Sequence, residues 1–218
     1  MRIYINIPNK NDNYLIDLIN GKSNYIHIDR NGYFNNTKID WKNSIILSGS
    51  FNPLHKGHEE LKEIATEMTK RKPYYELSIK NAVKLTISTD EIFKRIRQFK
   101  GKGDVILSDA KFFIEKSHIY QGAIFVIGAD LCQEINNPIY YGGEEELKKS
   151  LMKIKSNDCR FLVAGRFFNN RYHTVNDLVN IRNEHRFLFE SIPENLFRLD
   201  ISSTEIRLMN KEQEMDHE

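Results

Sequence analysis

The sequence predicts an α/β fold: a doubly wound parallel sheet with helices on both faces, plus a small strand-rich appendage at the N-terminus. Three observations predict it. Short strand-like runs at residues 45–47, 75–79, 105–107, 123–127 and 161–164 alternate with segments whose apolar residues recur at helical spacing. The run 123–127 is apolar throughout, as expected of a strand covered on both faces. Glycine-bearing loops follow three of the runs directly, at Gly49, Gly128 and Gly165, and the carboxyl ends of strands are where such sheets collect ligands.

Residues 1–43 differ in texture from the rest, being rich in Asn, Tyr and Ile. They offer strand candidates at 2–7 and 24–29, a short helix over 14–19 and an Asn31-Gly32 hairpin signal. This region reads as an appendage that packs on the main domain or on a partner. The main domain runs over 44–209, and 210–218 is a polar tail. Within the domain, Leu61, Ile64, Ala65 and Met68 share one face of a helix over 57–70. Ser88 or Thr89 starts the next helix, Glu91 lies early in it, and Ile92, Phe93, Ile96 and Phe99 form its stripe before Gly101 ends it. A helix over 110–116, a charged amphipathic helix over 144–154 and a weaker strand at 187–189 complete the Rossmann-like alternation.

With 218 residues the chain suits one full domain. Its formal net charge of +2 gives no bulk electrostatic reason to bind nucleic acid or a membrane. No apolar run approaches the ~20 residues of a membrane span. Cys132 and Cys159 form no CxxC pair and lack zinc-type spacing, so they read as buried free thiols in a reducing compartment. A soluble cytoplasmic protein is expected, and a homo-oligomer is left open.

The chemistry concentrates in Ser48-Gly-Ser-Phe-Asn-Pro-Leu-His-Lys-Gly-His58, which reads as strand end, tight loop and helix start. Gly49 and Gly57 let the backbone approach a ligand, Pro53 fixes a corner, and His55 and His58 flank a helix N-terminus suited to phosphate. By itself the histidine pair is equally a metal-ligand fragment or two surface residues. A second stretch, Ile201-Ser-Ser-Thr-Glu-Ile-Arg207, offers Ser202, Ser203, Thr204 and Arg207. It reads as a capped helix start and as a second phosphate cradle, and both readings hold together. Phe125-Val-Ile-Gly-Ala-Asp-Leu131 places Asp130 either as a helix cap or as a ligand contact.

In their order and their separation of ~145 residues, the two stretches resemble the signatures of the HxGH nucleotidyltransferase superfamily, over roughly 44–209. Gly-Ser-Phe-Asn-Pro, Gly-Ala-Asp and Ile-Ser-Ser-Thr-x-Ile-Arg look most like the nicotinamide or nicotinate mononucleotide adenylyltransferases. The resemblance implies in-line attack of an acceptor phosphate on the α-phosphate of ATP, with release of pyrophosphate and no covalent enzyme intermediate. It gives His55 and His58 to the α-phosphate, and Arg207 with Ser203 and Thr204 to the leaving phosphates. Nucleotide contacts are then expected from Gly49, Ser50, Phe51, Asn52, Gly57, Gly128, Asp130 and Ser202, and acceptor contacts from Asn81, Lys84 and Arg166. Mg²⁺ arrives with the triphosphate and needs no protein cage.

Two departures bear on the acceptor. Phe167-Phe168 stand where the family has Pro-Gly, and the only tryptophan, Trp41, lies outside the motifs, leaving Phe167, Phe168 or Tyr172 to stack on a pyridine ring. The alternatives are cytidylyl or adenylyl transfer to another phosphorylated small molecule, such as a phospho-alcohol or phosphopantetheine, and a nucleotide-binding sensor without turnover. An aminoacyl-tRNA synthetase is disfavoured by the small size and by the lack of a Lys-Met-Ser-Lys-Ser-like segment.

Overall fold

A computed structural model describes residues 10–35, 37–80, 89–168, 171–177 and 181–198. In chain order the elements begin with α1 (Lys10–Ile19), β1 (Tyr25–Ile28), β2 (Phe34–Asn35), β3 (Ser44–Ser48), α2 (Lys56–Thr69), β4 (Lys72–Ser78) and α3 (Thr89–Arg97). There follow β5 (Val105–Ser108), α4 (Phe113–Ile119), β6 (Ile124–Gly128), α5 (Ala129–Ile135), α6 (Glu144–Ser156) and β7 (Arg160–Ala164). A small separate hairpin, β8 (Arg166–Phe168) and β9 (Arg171–His173), precedes the last strand, β10 (Phe189–Ile192). The strand expected at 2–7 lies outside the described residues.

The main sheet has the order β10-β7-β6-β3-β4-β5-β1-β2. The six strands from β10 to β5 pair in parallel, as the alternation of strand and helix predicts, and the order reverses between β3 and β6. The central strands β3, β6 and β7 carry apolar residues on both sides because both sides are covered. Ile45, Leu47, Val126 and Leu162 face a core that also holds Leu15, Leu18, Leu61, Ala65, Ile96 and Phe99, contributed by α1, α2 and α3 or the turn that ends it. Ile46, Phe125, Ile127 and Val163 face the other core, with Phe113 of α4, Cys132 and Ile135 of α5, and Leu147, Leu151 and Ile154 of α6. Helices thus lie on both faces, and Cys132 and Cys159 are buried free thiols.

The N-terminal strands join this sheet. β1 runs antiparallel along β5, from Tyr25 opposite Ser108 to Ile28 opposite Val105, and β2 adds outside it. The Asn31-Gly32 signal falls in the turn between them, where the Asp29 carboxylate accepts from the Asn31 and Tyr33 amides at 2.9 Å each. Gly32 sits there at φ +92°, a conformation open to glycine at no steric cost. The strand expected at 187–189 is shifted to Phe189–Ile192, because residues 183–188 wind into a 3₁₀ helix that buries Leu188. Among the described residues no helix is long and apolar enough to cross a membrane.

One charged group lies inside the sheet. Glu76 on β4 is fully buried, accepts from Lys116 Nζ of α4 at 2.5 Å and from Ser108 Oγ of β5 at 2.6 Å. Both carboxylate oxygens are therefore paired, which is the condition under which a buried charge is tolerated.

Candidate active site

The strand order reverses between β3 and β6, and the loops leaving those two strands diverge to opposite faces of the sheet. A crevice opens there by construction. It is a cleft of about 370 Å³. Its walls include Ser48, Ser50, His55, Gly57 and His58 from the β3 end and α2. Gly128, Asp130 and Leu131 come from the β6 end, and Gly165, Arg166 and Phe197 from beyond β7.

The loop after β3 is bent by its own sequence. Phe51 adopts φ +44° and the Asn52–Pro53 peptide is cis. The Phe51 ring turns inward, 1% exposed, and packs edge-on against Tyr75 at 5.4 Å, Phe99 at 5.1 Å and His58 at 5.0 Å between ring centroids. Gly49 makes room for that ring, since a Cβ there would lie 3.1 Å from it.

Helix α2 then begins with extended backbone at His55, its N-cap residue. The His55 amide donates to Nδ1 of His58 at 3.3 Å, and the His58 amide donates to the His55 carbonyl at 2.9 Å. With Nδ1 accepting, the neutral His58 ring carries its proton on Nε2. The two rings lie 3.8 Å apart, tilted by 33°. Burial, with the His55 charge as a second cause, pushes the His58 pKa down to about 3, and burial also lowers that of His55. Both rings are therefore neutral near pH 7, with N–H groups at a helix start that also offers free backbone donors. Two buried polar atoms at this cleft, His55 Nδ1 and Ser48 Oγ, have no hydrogen-bond partner among the described residues. Orphaned polar atoms of this kind fit a site completed by a ligand.

Across the cleft, Gly128 is the N-cap of α5 and Asp130 lies in the helix's first turn. Asp130 is not the cap. Its carboxylate, on an exposed side chain, instead forms an ion pair with the partly exposed Arg166 guanidinium. Among the described residues no group of three or more His, Cys, Asp or Glu converges as a metal site.

This arrangement, a helix start facing a second strand-end loop across the switch point, coincides with a sequence match. A family model described as cytidylyltransferase-like matches residues 46–209. The chain belongs to this family. It is accordingly a nucleotidyltransferase, and the matched span begins inside β3 and takes in every wall of the cleft. No curated protein matches the chain.

Seven of the residues singled out from sequence come together on the cytidylyltransferase-like cleft: Ser50, His55, Gly57, His58, Gly128, Asp130 and Arg166. Gly49, Phe51 and Asn52 do not line it, and the Phe51 side chain belongs to the core. Asn81, Lys84, Ser202, Ser203, Thr204 and Arg207 lie outside the described residues. Trp41 packs against Tyr25, Tyr74 and Tyr120, away from the cleft walls, while Tyr172 donates to the Phe197 carbonyl at 3.1 Å. Sequence reasoning passed over Ser48, Leu131 and Phe197 as wall residues. For Ser48 and Leu131 a signal existed, since both flank strand-end loops already marked as ligand positions.

Proposed function

We propose that the protein transfers an adenylyl group from ATP to a phosphorylated acceptor, nicotinamide or nicotinate mononucleotide, and releases pyrophosphate. The observation that carries this reading is the pair of desolvated neutral histidines at the start of α2, facing Gly128–Asp130 across one cleft. A cleft of about 370 Å³ is within the ~300–1,000 Å³ usual for small-ligand sites.

In the proposed reaction the acceptor phosphate attacks the α-phosphorus in line, the bond to the bridging oxygen breaks, and pyrophosphate leaves with the electron pair. His58 Nε2–H and the His55 ring donate to the α-phosphate oxygens as negative charge grows. Backbone N–H groups at the start of α2 add the partial charge of a helix N-terminus. Asp130 accepts from the ribose hydroxyls and Arg166 takes an acceptor phosphate, each giving up the other as partner. Arg207 with Ser203 and Thr204 holds the leaving phosphates, Ser202 contacts the nucleotide, and Asn81 and Lys84 contribute on the acceptor side. Mg²⁺ bound to the triphosphate supplies charge neutralisation there. The phosphorylated acceptor and ATP are small molecules of the cytoplasm, and the cysteines' free thiols are compatible with that compartment.

Pyrophosphate release measured with each nucleoside triphosphate against a panel of phosphorylated acceptors tests this reading. Turnover with ATP and a pyridine mononucleotide, abolished in His58→Ala while ATP binding persists, is the expected result. No pyrophosphate with ATP and either mononucleotide sinks the acceptor assignment, and equal behaviour of the wild type and His58→Ala sinks the catalytic role.

A further inference from the structure

The phosphate loop between β3 and α2 has an unusual accounting problem. Its backbone follows neither strand nor helix, Phe51 lies at positive φ, and Pro53 has no N–H to give. Its other backbone groups still need partners if they are not to be buried bare. Three of them are met from outside the loop by two side chains at the end of α3. The Gln98 amide accepts from the Leu54 N–H at 2.7 Å through Oε1 and donates to the Phe51 carbonyl at 3.0 Å through Nε2. Arg95 donates to the Ser50 carbonyl at 3.1 Å, and its Nε is held by Glu91 one turn earlier at 2.8 Å. A further bond from Gln98 Nε2 to the Arg95 carbonyl, 3.3 Å, links the two.

We infer that Gln98, supported by Arg95, is a positioning residue for the phosphate site: it sets the loop geometry that fixes the His58 tautomer. This rests on the reading of the cleft as the phosphate-binding site. The chain of contacts is short. Gln98 grips Leu54, the residue before His55, and the His55 amide in turn donates to His58 Nδ1. That donation keeps the proton on Nε2, the nitrogen left to face a ligand. Only a neutral carboxamide of this length serves both ends of the grip, because one group must accept from an N–H while its neighbour donates to a carbonyl. A glutamate in its place would set a second oxygen against the Phe51 carbonyl, and an asparagine is one methylene short. Arg95 closes the third contact and carries no direct bond to His55 or His58.

The test compares wild type with Gln98→Ala and Gln98→Glu by three measurements. They are the ¹⁵N shifts of the His58 ring without substrate, thermal unfolding, and steady-state kinetics at a temperature where each variant is folded. The expected wild-type spectrum shows the Nε2–H tautomer. In both variants the His58 shifts move toward a mixture of tautomers. The value of kcat falls ~10–100-fold, the range for a reacting group misplaced by about 1 Å, while KM for ATP changes less than ~3-fold. Gln98→Glu groups with Gln98→Ala in spite of its matching shape. Unchanged His58 shifts in folded Gln98→Ala overturn the inference, as does a loss of kcat no larger than the unfolded fraction explains. The spectra need no nucleotide, so a wild type that turns nothing over would defeat the enzymatic reading while leaving the grip on His58 separately tested.

Discussion

Lowering the pH should strip stability from this fold through His58, and the sign follows from where its proton goes. In the folded chain burial holds the His58 pKa down to about 3, against an ordinary 6.5 for the unfolded chain. Below pH 6.5 the unfolded state therefore takes up a proton that the folded state refuses. The contribution of His58 is present in full above 6.5 and is lost progressively as the pH falls toward 3. Between pH 7 and pH 5 the linkage amounts to about 2 kcal/mol if the whole shift counts, and roughly 1–2 kcal/mol once partial solvent access is allowed for. The perturbation is His58→Asn, whose side-chain oxygen can still accept from the His55 amide but which cannot titrate. Urea unfolding of both proteins at pH 5, 6 and 7 gives the comparison. Wild type is expected to lose roughly 1–2 kcal/mol more than His58→Asn between pH 7 and pH 5. Parallel stability curves for the two proteins would refute the reasoning, because His58 would then titrate alike in both states. His55 is lowered in the same direction and is present in both proteins, so it cancels to first order.

Two further outcomes concern the frame of the site. A Cβ on Gly165 would lie 2.5 Å from the His173 carbonyl oxygen and 2.5 Å from the Tyr172 ring, so Gly165→Ala forces the β8–β9 hairpin off the end of β7. A destabilisation of about 1–3 kcal/mol is expected in thermal or denaturant unfolding, and an unchanged transition would show that the hairpin accommodates the methyl freely. Lys116→Met leaves the Glu76 carboxylate buried with Ser108 as its remaining partner, at an expected cost of ~3–5 kcal/mol. Glu76→Gln combined with Lys116→Met should recover more than half of that loss, and a double variant no better than the single would exclude charge burial as the cause.

Strands β3, β6 and β7 were legible because burial on two faces leaves a short unbroken apolar run, and their shortness and alternation with helical patterns separate such runs from a buried helix. Phe125, Val126 and Ile127 all lie at 0–1% exposure. The loop between β3 and α2 was legible as a cleft wall because its order of Gly, Pro and His is rare enough to carry information. Other features needed distances along the chain that local patterns do not encode. Tyr25 to Ile28 alternate like any strand, and nothing in them says that they pair with β5 rather than with another chain. The β8–β9 hairpin has three-residue strands, and Asn169-Asn170 between two aromatic-bearing runs was its only mark. An aromatic in a Gly-Pro loop reads the same whether it stacks on a base or, as Phe51 does, enters the core. Asp130 acquires Arg166 as partner only because β6 and β7 are neighbours. Arg95 and Gln98 sit on the polar side of an amphipathic helix and its end, where a side chain gripping a loop and one hydrated by water give identical patterns.

The burial of Phe51 has a consequence for how this enzyme could acquire new substrates. Loops at strand ends are ordinarily where a lineage experiments, since insertions there disturb little. Here the loop between β3 and α2 is nailed by one ring between Tyr75 of β4 and Phe99 beyond α3, so lengthening or recomposing it would unsettle the hydrophobic interior as well. Selection for a new acceptor is thereby steered elsewhere. Changes are cheapest in the excursion between β7 and β10, where β8 and β9 pair only with each other, outside the main sheet.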